Sequence, residues 1–140
     1  MNKIFNMVKT RGIRNKNPFN IKLSVNSWLG KVSNAKNTDR VYEQFRELDY
    51  GLRAGMQLLR GYIARGFDTP SKIIYRFAPP SENHTSDYLN YVLDSPLHAD
   101  DNLSVNSLNF YWLCQRICMY ESKYDFRYDD YIRIKQRFRI

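Results

Sequence analysis

A chain of 140 residues is the size of one ordinary domain, so one core and no second domain are expected over residues 1–140. Apolar residues at 43% and charged residues at 26% fit a soluble globular protein, and every apolar run is far too short to span a membrane. The net charge of +8 favours polyanions, among them nucleic acid, acidic cell-wall polymers and anionic lipid, but the Lys and Arg residues are scattered except for the run from Tyr131 to Ile140, so no dense basic arm is present to clamp phosphates.

The opening "MNKIFNMVK" lacks the apolar core and small-residue cleavage site of a signal peptide, and residues 1–10 are expected to be a flexible segment. The polar, Asn-rich stretch continues to Pro18 and predicts irregular backbone rather than a helix. "FNIKLSV" alternates Phe19, Ile21, Leu23 and Val25 with polar residues, and "RVYEQF" does the same more briefly; together they predict a small β-hairpin whose loop carries Trp28, Gly30 and Asp39.

The period then becomes helical. Leu52, Met56, Leu59 and Ile63 share one face, and Gly66 closes the helix. Thr69 and Pro70 start a short helix that the double proline after Ala78 must stop. Thr85 or Ser86 caps another short helix ending before Pro96, Ser104 or Asn106 caps a long helix running to Tyr120, and "DDYIRIKQRF" can form a last one. The fold class is therefore mainly α (α+β), with a small strand element near the start. Cys114 and Cys118 are four apart on one helix, a spacing that suits two buried thiols better than a disulfide, and with only His84 and His98 as further soft ligands no metal or cofactor is expected.

The long helix raises a chemical question. Phe110, Leu113, Cys114, Ile117 and Cys118 form its apolar stripe, and the next position on that stripe is Glu121. A carboxylate there loses hydration and meets the negative end of the helix dipole, and both effects favour the protonated form, as a general acid requires. A structural Glu reaching water past the helix end is the alternative.

Several motifs carry a resemblance. "RGIRNKNPFNI", the following "W.G", "FRELDYGLRAGMQLLRGY", "RFAPPSENHTSDY" and "MYES" together resemble a family of bacteriophage virion proteins with a lysozyme-like fold. Arg11, Gly12, Ile13, Arg14, Asn15, Asn17, Pro18, Asn20 and Ile21 match the family's opening, while Lys16 and Phe19 depart from it. At the other end the family tends to read His-Glu-Asn-Gly where this chain has Tyr-Glu-Ser-Lys, so the turn after Glu121 lacks its glycine. The order of motifs is also similar to that of autolysin-type glucosaminidases and transglycosylases, except that the Glu-Ser helix follows the Asn-rich segment instead of leading it. This suggests a circularly permuted lysozyme-like domain, with Glu121 facing Asn17 and Asn20 across a cleft.

The resemblance implies a phage-encoded peptidoglycan hydrolase that cuts the glycan strand with Glu121 as general acid. Glu82, after the double proline, is the candidate second carboxylate, with helix entry as its structural alternative; Asp39 and Glu43 are weaker candidates. Arg11, Arg14, Asn15, Asn17 and Asn20 are candidates to bind sugar hydroxyls or peptide carboxylates, and Trp28 to stack on a sugar face. The implied partners are peptidoglycan strands and other virion proteins, in the virion or released to the host periplasm or cell wall. The rival expectation is an inactive virion structural protein that binds glycan or its neighbours. Nucleic-acid binding rests on charge alone and is not preferred.

Overall fold

The computed structural model describes residues 9–104 and 108–140. Its helices run in the order α1 (Arg11–Arg14), a 3₁₀ turn (Asn34–Lys36), α2 (Leu48–Ala64), α3 (Pro70–Phe77), α4 (Thr85–Leu93), α5 (Leu108–Ser122) and α6 (Tyr128–Phe138). The fold is thus mainly α, and no helix among the described residues is long and apolar enough to cross a membrane.

The apolar stripes read from the sequence form the core. Leu52, Met56 and Leu59 of α2 and Leu113, Cys114, Ile117 and Cys118 of α5 are completely buried, each large side chain contributing about 1.5–3 kcal/mol by leaving water. Both cysteines are free thiols, and burial pushes the Cys118 thiol well above its usual value, so neither is a ready nucleophile. Helix starts and stops largely follow local chemistry: the Thr69 hydroxyl accepts the Lys72 N–H at 3.2 Å, and Gly66 ends α2 with φ +98°. At α4 the expected cap is displaced. His84 is the N-cap, and the Thr85 hydroxyl instead donates to the Ala78 carbonyl, tying the helix entry to the end of α3. Of the two caps expected for α5, Ser104 lies in the loop before it and Asn106 falls outside the described residues.

Two expectations for the N-terminal third require correction. The segment expected to be irregular contains α1, and Thr10, counted with the flexible segment, caps it by accepting the Ile13 N–H while its own hydroxyl donates to the Ser122 carbonyl at 2.7 Å. The rest of that segment, residues 1–8, lies outside the described residues. The expected β-hairpin is reduced to isolated antiparallel bridges, Lys22 with Tyr42 and Lys31 with Phe45. The ladder stops because Asn20 and Arg40 adopt left-handed φ of +52° and +74°, and because the Asp39 carboxylate, not a facing carbonyl, takes the N–H groups of Val41 and Tyr42. The alternation consequently buries Phe19 and Ile21 but leaves Val25 93% exposed.

Asp39 is the hub of this irregular arm. Arg11 grips it with Nε and Nη2 at 2.7 and 2.8 Å, and Asn15 Nδ2 donates to it at 2.9 Å. The Arg11 guanidinium is the leading reason that the Asp39 carboxyl lies well below the usual carboxylate range. A folded-state value below the unfolded one means that the stabilisation is present at neutral pH and is lost as pH falls through the folded value. Asp39→Asn keeps an oxygen for the backbone N–H groups but removes the charge and turns an amide donor toward Arg11 Nε and Asn15 Nδ2. It is expected to lower the melting temperature at pH 7, with the deficit to wild type shrinking below about pH 4. A deficit that does not change with pH would contradict this origin.

The N-terminal arm lies directly on α2. A Cβ on Gly55 would come within 2.0 Å of the Phe19 ring, and one on Gly51 within 2.0 Å of the Lys16 carbonyl oxygen. The "GLRAG" spacing places these two residues one turn apart on one face, leaving a smooth strip for the arm. At the other end of the chain, Arg133 joins Asp49 to Asp130, and Arg137 reaches Glu47 and Asp49. The basic terminal run thus docks α6 against the start of α2.

Candidate functional site

Two motifs a hundred residues apart meet at the end of α5. The Ser122 hydroxyl donates to the Pro18 carbonyl at 2.8 Å, and Asn20 Nδ2 donates to the Glu121 carbonyl at 3.1 Å. Gly12 rests against Ser122 so closely that a Cβ there would lie 1.8 Å from its hydroxyl oxygen. The "RGIRNKNPFN" segment is therefore the seat of the Glu-Ser helix end. In the following turn Lys123 takes the left-handed conformation at φ +54°, and the Lys123 and Tyr124 N–H groups close the helix on the Met119 and Cys118 carbonyls.

Glu121 lines a groove of about 430 Å³, a volume in the range of sites that hold a ligand of several rings. One wall comes from the arm, including Asn20, Lys22, Asn26, Trp28 and Tyr42. Helices α2 and α3 and the loop after them supply Tyr62, Arg76, Phe77, Glu82 and Asn83.

Both carboxylate oxygens of Glu121 are held. Oε1 accepts from Asn20 Nδ2 at 3.0 Å and Oε2 from the Tyr88 hydroxyl at 2.8 Å. Burial raises the Glu121 pKa and outweighs these two hydrogen bonds and the more distant Lys22 charge, all of which favour the ionised form. Tyr88 is 1% exposed and stacks on Tyr120 with ring centroids 3.8 Å apart. Its own burial and the neighbouring Glu121 push its phenol well above the usual value, so it remains a hydroxyl donor. Tyr88→Phe removes a donor that favours the charged form. It is expected to raise the Glu121 pKa further, read as a shift of the Glu121 carboxyl carbon titration to higher pH by NMR; a shift to lower pH would contradict the assigned role.

The structure separates the sequence candidates into lining and frame. Glu121, Asn20, Trp28 and Glu82 line the groove. Glu82 is exposed and forms an ion pair with Lys22, so it bridges the loop after α3 to the arm and is not the cap of α4. The Trp28 ring is half-buried, and its Nε1 is buried without a hydrogen-bond partner among the described residues.

The other candidates lie outside the lining. Asn17 is fully buried beneath Asn20: Nδ2 donates to the Ile21 and Glu43 carbonyls and Oδ1 accepts the Ile21 N–H, which commits the amide to the backbone. Asn15 is committed to Asp39 and Gln44, Arg11 to Asp39, and Arg14 donates to the Lys9 carbonyl at 2.7 Å. These four brace the arm that carries the lining. The weaker carboxylate candidates are also structural. Asp39 is the hub already described, and Glu43, with no exposed surface, accepts from Lys31 Nζ at 2.9 Å and from the Ser24 N–H at 3.2 Å.

Sequence reasoning missed Tyr88 and Arg76. Tyr88 had a legible signal, since a tyrosine on an apolar helix face must find a hydroxyl partner once buried. For Arg76 no local signal existed, because its place on the groove depends on how α3 is docked.

No protein-family model matches the chain. The chain is similar to Protein P5 of Pseudoalteromonas phage PM2, with 38% identity over 86 residues, which cover 59% of this chain and 52% of that protein. The chain thus spans about half the length of the curated relative it matches, and the similarity is to a phage protein.

Proposed function

We propose that the protein cleaves the glycan strand of peptidoglycan by general acid catalysis, with Glu121 delivering the proton to the leaving oxygen. The observation that carries this reading is a carboxyl on the wall of a groove of about 430 Å³ whose burial raises its pKa, held by Asn20 and Tyr88 in one orientation. A raised pKa increases the share of the protonated form over that of an ordinary carboxyl, and glycoside cleavage needs a proton donor beside a sugar ring that is gaining positive charge. Glu82 is the other carboxylate on the lining among the described residues. A single acid is also sufficient where the substrate's own acetamido group supports the reacting carbon.

The partly exposed Trp28 and Tyr42 rings on the lining suit sugar faces. The resemblance of the arm and Glu-Ser motifs to lysozyme-like phage proteins supports the same reading. The test is digestion of purified sacculi followed by mass spectrometry of the released muropeptides. Intact glycan after prolonged incubation across pH 4–8 would remove the proposal; reducing or anhydro ends would identify the reaction type.

The similarity to a phage protein favours a second element, that the chain works from within the phage particle, against neighbouring virion proteins and the host wall. Recovery at fixed stoichiometry in gradient-purified particles is the expected result, and its absence from them would remove this element.

A further inference from the structure

Three guanidinium groups that orient the fold have carboxylate partners: Arg11 holds Asp39, Arg133 holds Asp49 and Asp130, and Arg137 holds Glu47 and Asp49. Arg76 differs. It is exposed in the last turn of α3, lines the same groove as Glu121, and has no carboxylate or carbonyl bonded to it among the described residues. Two aromatic rings support it, with the guanidinium carbon 5.1 Å from the Tyr62 centroid and 6.0 Å from that of Phe67. Stacking of this kind limits the orientations of the fork without consuming its N–H donors.

The remaining charges on the lining leave this cation uncompensated. Lys22 and Glu82 pair with each other, and the Glu121 carboxylate is bonded to Asn20 and Tyr88, not to Arg76. The groove is therefore positive at Arg76, within reach of a ligand lying along rings that suit sugar faces.

We propose that Arg76 is the recognition site for a carboxylate carried on the glycan, so that the groove selects acid-bearing strands over neutral ones. This deepens the glycan reading above and rests on it. A polymer of N-acetylglucosamine alone has no carboxylate to offer the fork. Peptidoglycan offers two sources of the same chemistry: the lactyl group of muramic acid, free once the peptide is removed, and the carboxylates of the attached peptide. A charge-assisted, two-pronged hydrogen bond from a fork already oriented gives a preference of about ten- to a hundredfold.

The experiment measures binding of the full chain to three immobilised polymers: intact sacculi, glycan strands stripped of peptide, and chitin. Wild type, Arg76→Gln and Arg76→Lys are compared, with melting temperature as the check on folding. Wild type is expected to bind at least one carboxylated polymer about tenfold or more tightly than chitin. Arg76→Gln is expected to erase that preference by weakening binding to the carboxylated polymer far more than binding to chitin, and Arg76→Lys to restore part of it. The polymer that loses affinity identifies the source, intact sacculi for the peptide and stripped strands for the lactyl group. An unchanged preference in Arg76→Gln, or no preference in wild type, would overturn the proposal. Cleavage is scored separately in the same samples. Selective, Arg76-dependent binding without cleavage would remove the glycosidase reading and keep this one; cleavage with no dependence on Arg76 would do the reverse.

Discussion

Glu121→Gln is expected to lower the rate of sacculus clearing about a hundred- to ten-thousandfold and, in the same protein, to raise thermal stability at neutral pH. The two effects share one cause. Glutamine keeps the shape of the side chain, its oxygen can still accept from Asn20 Nδ2, and the Tyr88 hydroxyl can turn to accept from the new amide. What is lost is the transferable proton. What is gained is relief from holding a charge where burial opposes it.

The sign follows from the raised pKa of Glu121. A carboxyl whose folded value exceeds its unfolded value, about 4.3, contributes its stabilisation below the unfolded value and loses it as pH rises through the folded one. Wild type and Glu121→Gln should therefore melt together near pH 3 and separate above pH 5, with the variant the more stable. Melting curves across pH together with a clearing assay distinguish the parts of the argument. Equal clearing by both proteins would remove Glu121 from the chemistry, whereas a variant less stable than wild type at pH 7 would show that burial does not dominate its environment.

The second large effect concerns the strip on α2. Gly51→Ala places a methyl carbon within 2.0 Å of the Lys16 carbonyl oxygen, which belongs to the backbone of the arm and cannot swing aside as a side chain would. The arm must lift, and with it the Pro18 and Asn20 contacts that seat Ser122 and Glu121. Overpacking of this kind costs about 1–3 kcal/mol or more. Gly61→Ala is the internal control. On the same helix, a Cβ at Gly61 meets nothing nearer than the Arg65 guanidinium at 3.5 Å, so the alanine should stabilise the protein by about 0.5–1 kcal/mol through helix propensity alone. Urea midpoints moving in opposite directions for the two substitutions are the expected outcome. A neutral Gly51→Ala would mean that the arm is not held against α2.

The sequence was most informative where local chemistry is sufficient. Residues three and four apart on α2 and α5 are placed on one face by helix geometry alone, which is why the buried stripes, the Thr69 cap, the Gly66 stop and the suspicion attached to Glu121 were all legible. The hairpin misread has an equally local reason. Alternation from Phe19 to Val25 looks like a half-buried strand, but the left-handed Asn20 and the capping carboxylate of Asp39 deny the backbone its ladder, and neither conformation is encoded in a period of two.

The frame and lining of the groove were decided by tertiary structure. Asn15, Asn17 and Asn20 are the same residue type within six positions, yet the first two spend their amides on Asp39, Gln44 and the backbone, and the third turns to Glu121, a residue 101 positions away. The sequence alone determined that a carboxyl would sit on an apolar helix face near a helix end, because spacing along one helix does not depend on the rest of the chain. Which groups would hold that carboxyl, how far its proton affinity would rise and which cation would share its groove depend on distances between separate elements, and those exist only once α3, α4, α5 and the N-terminal arm have packed together.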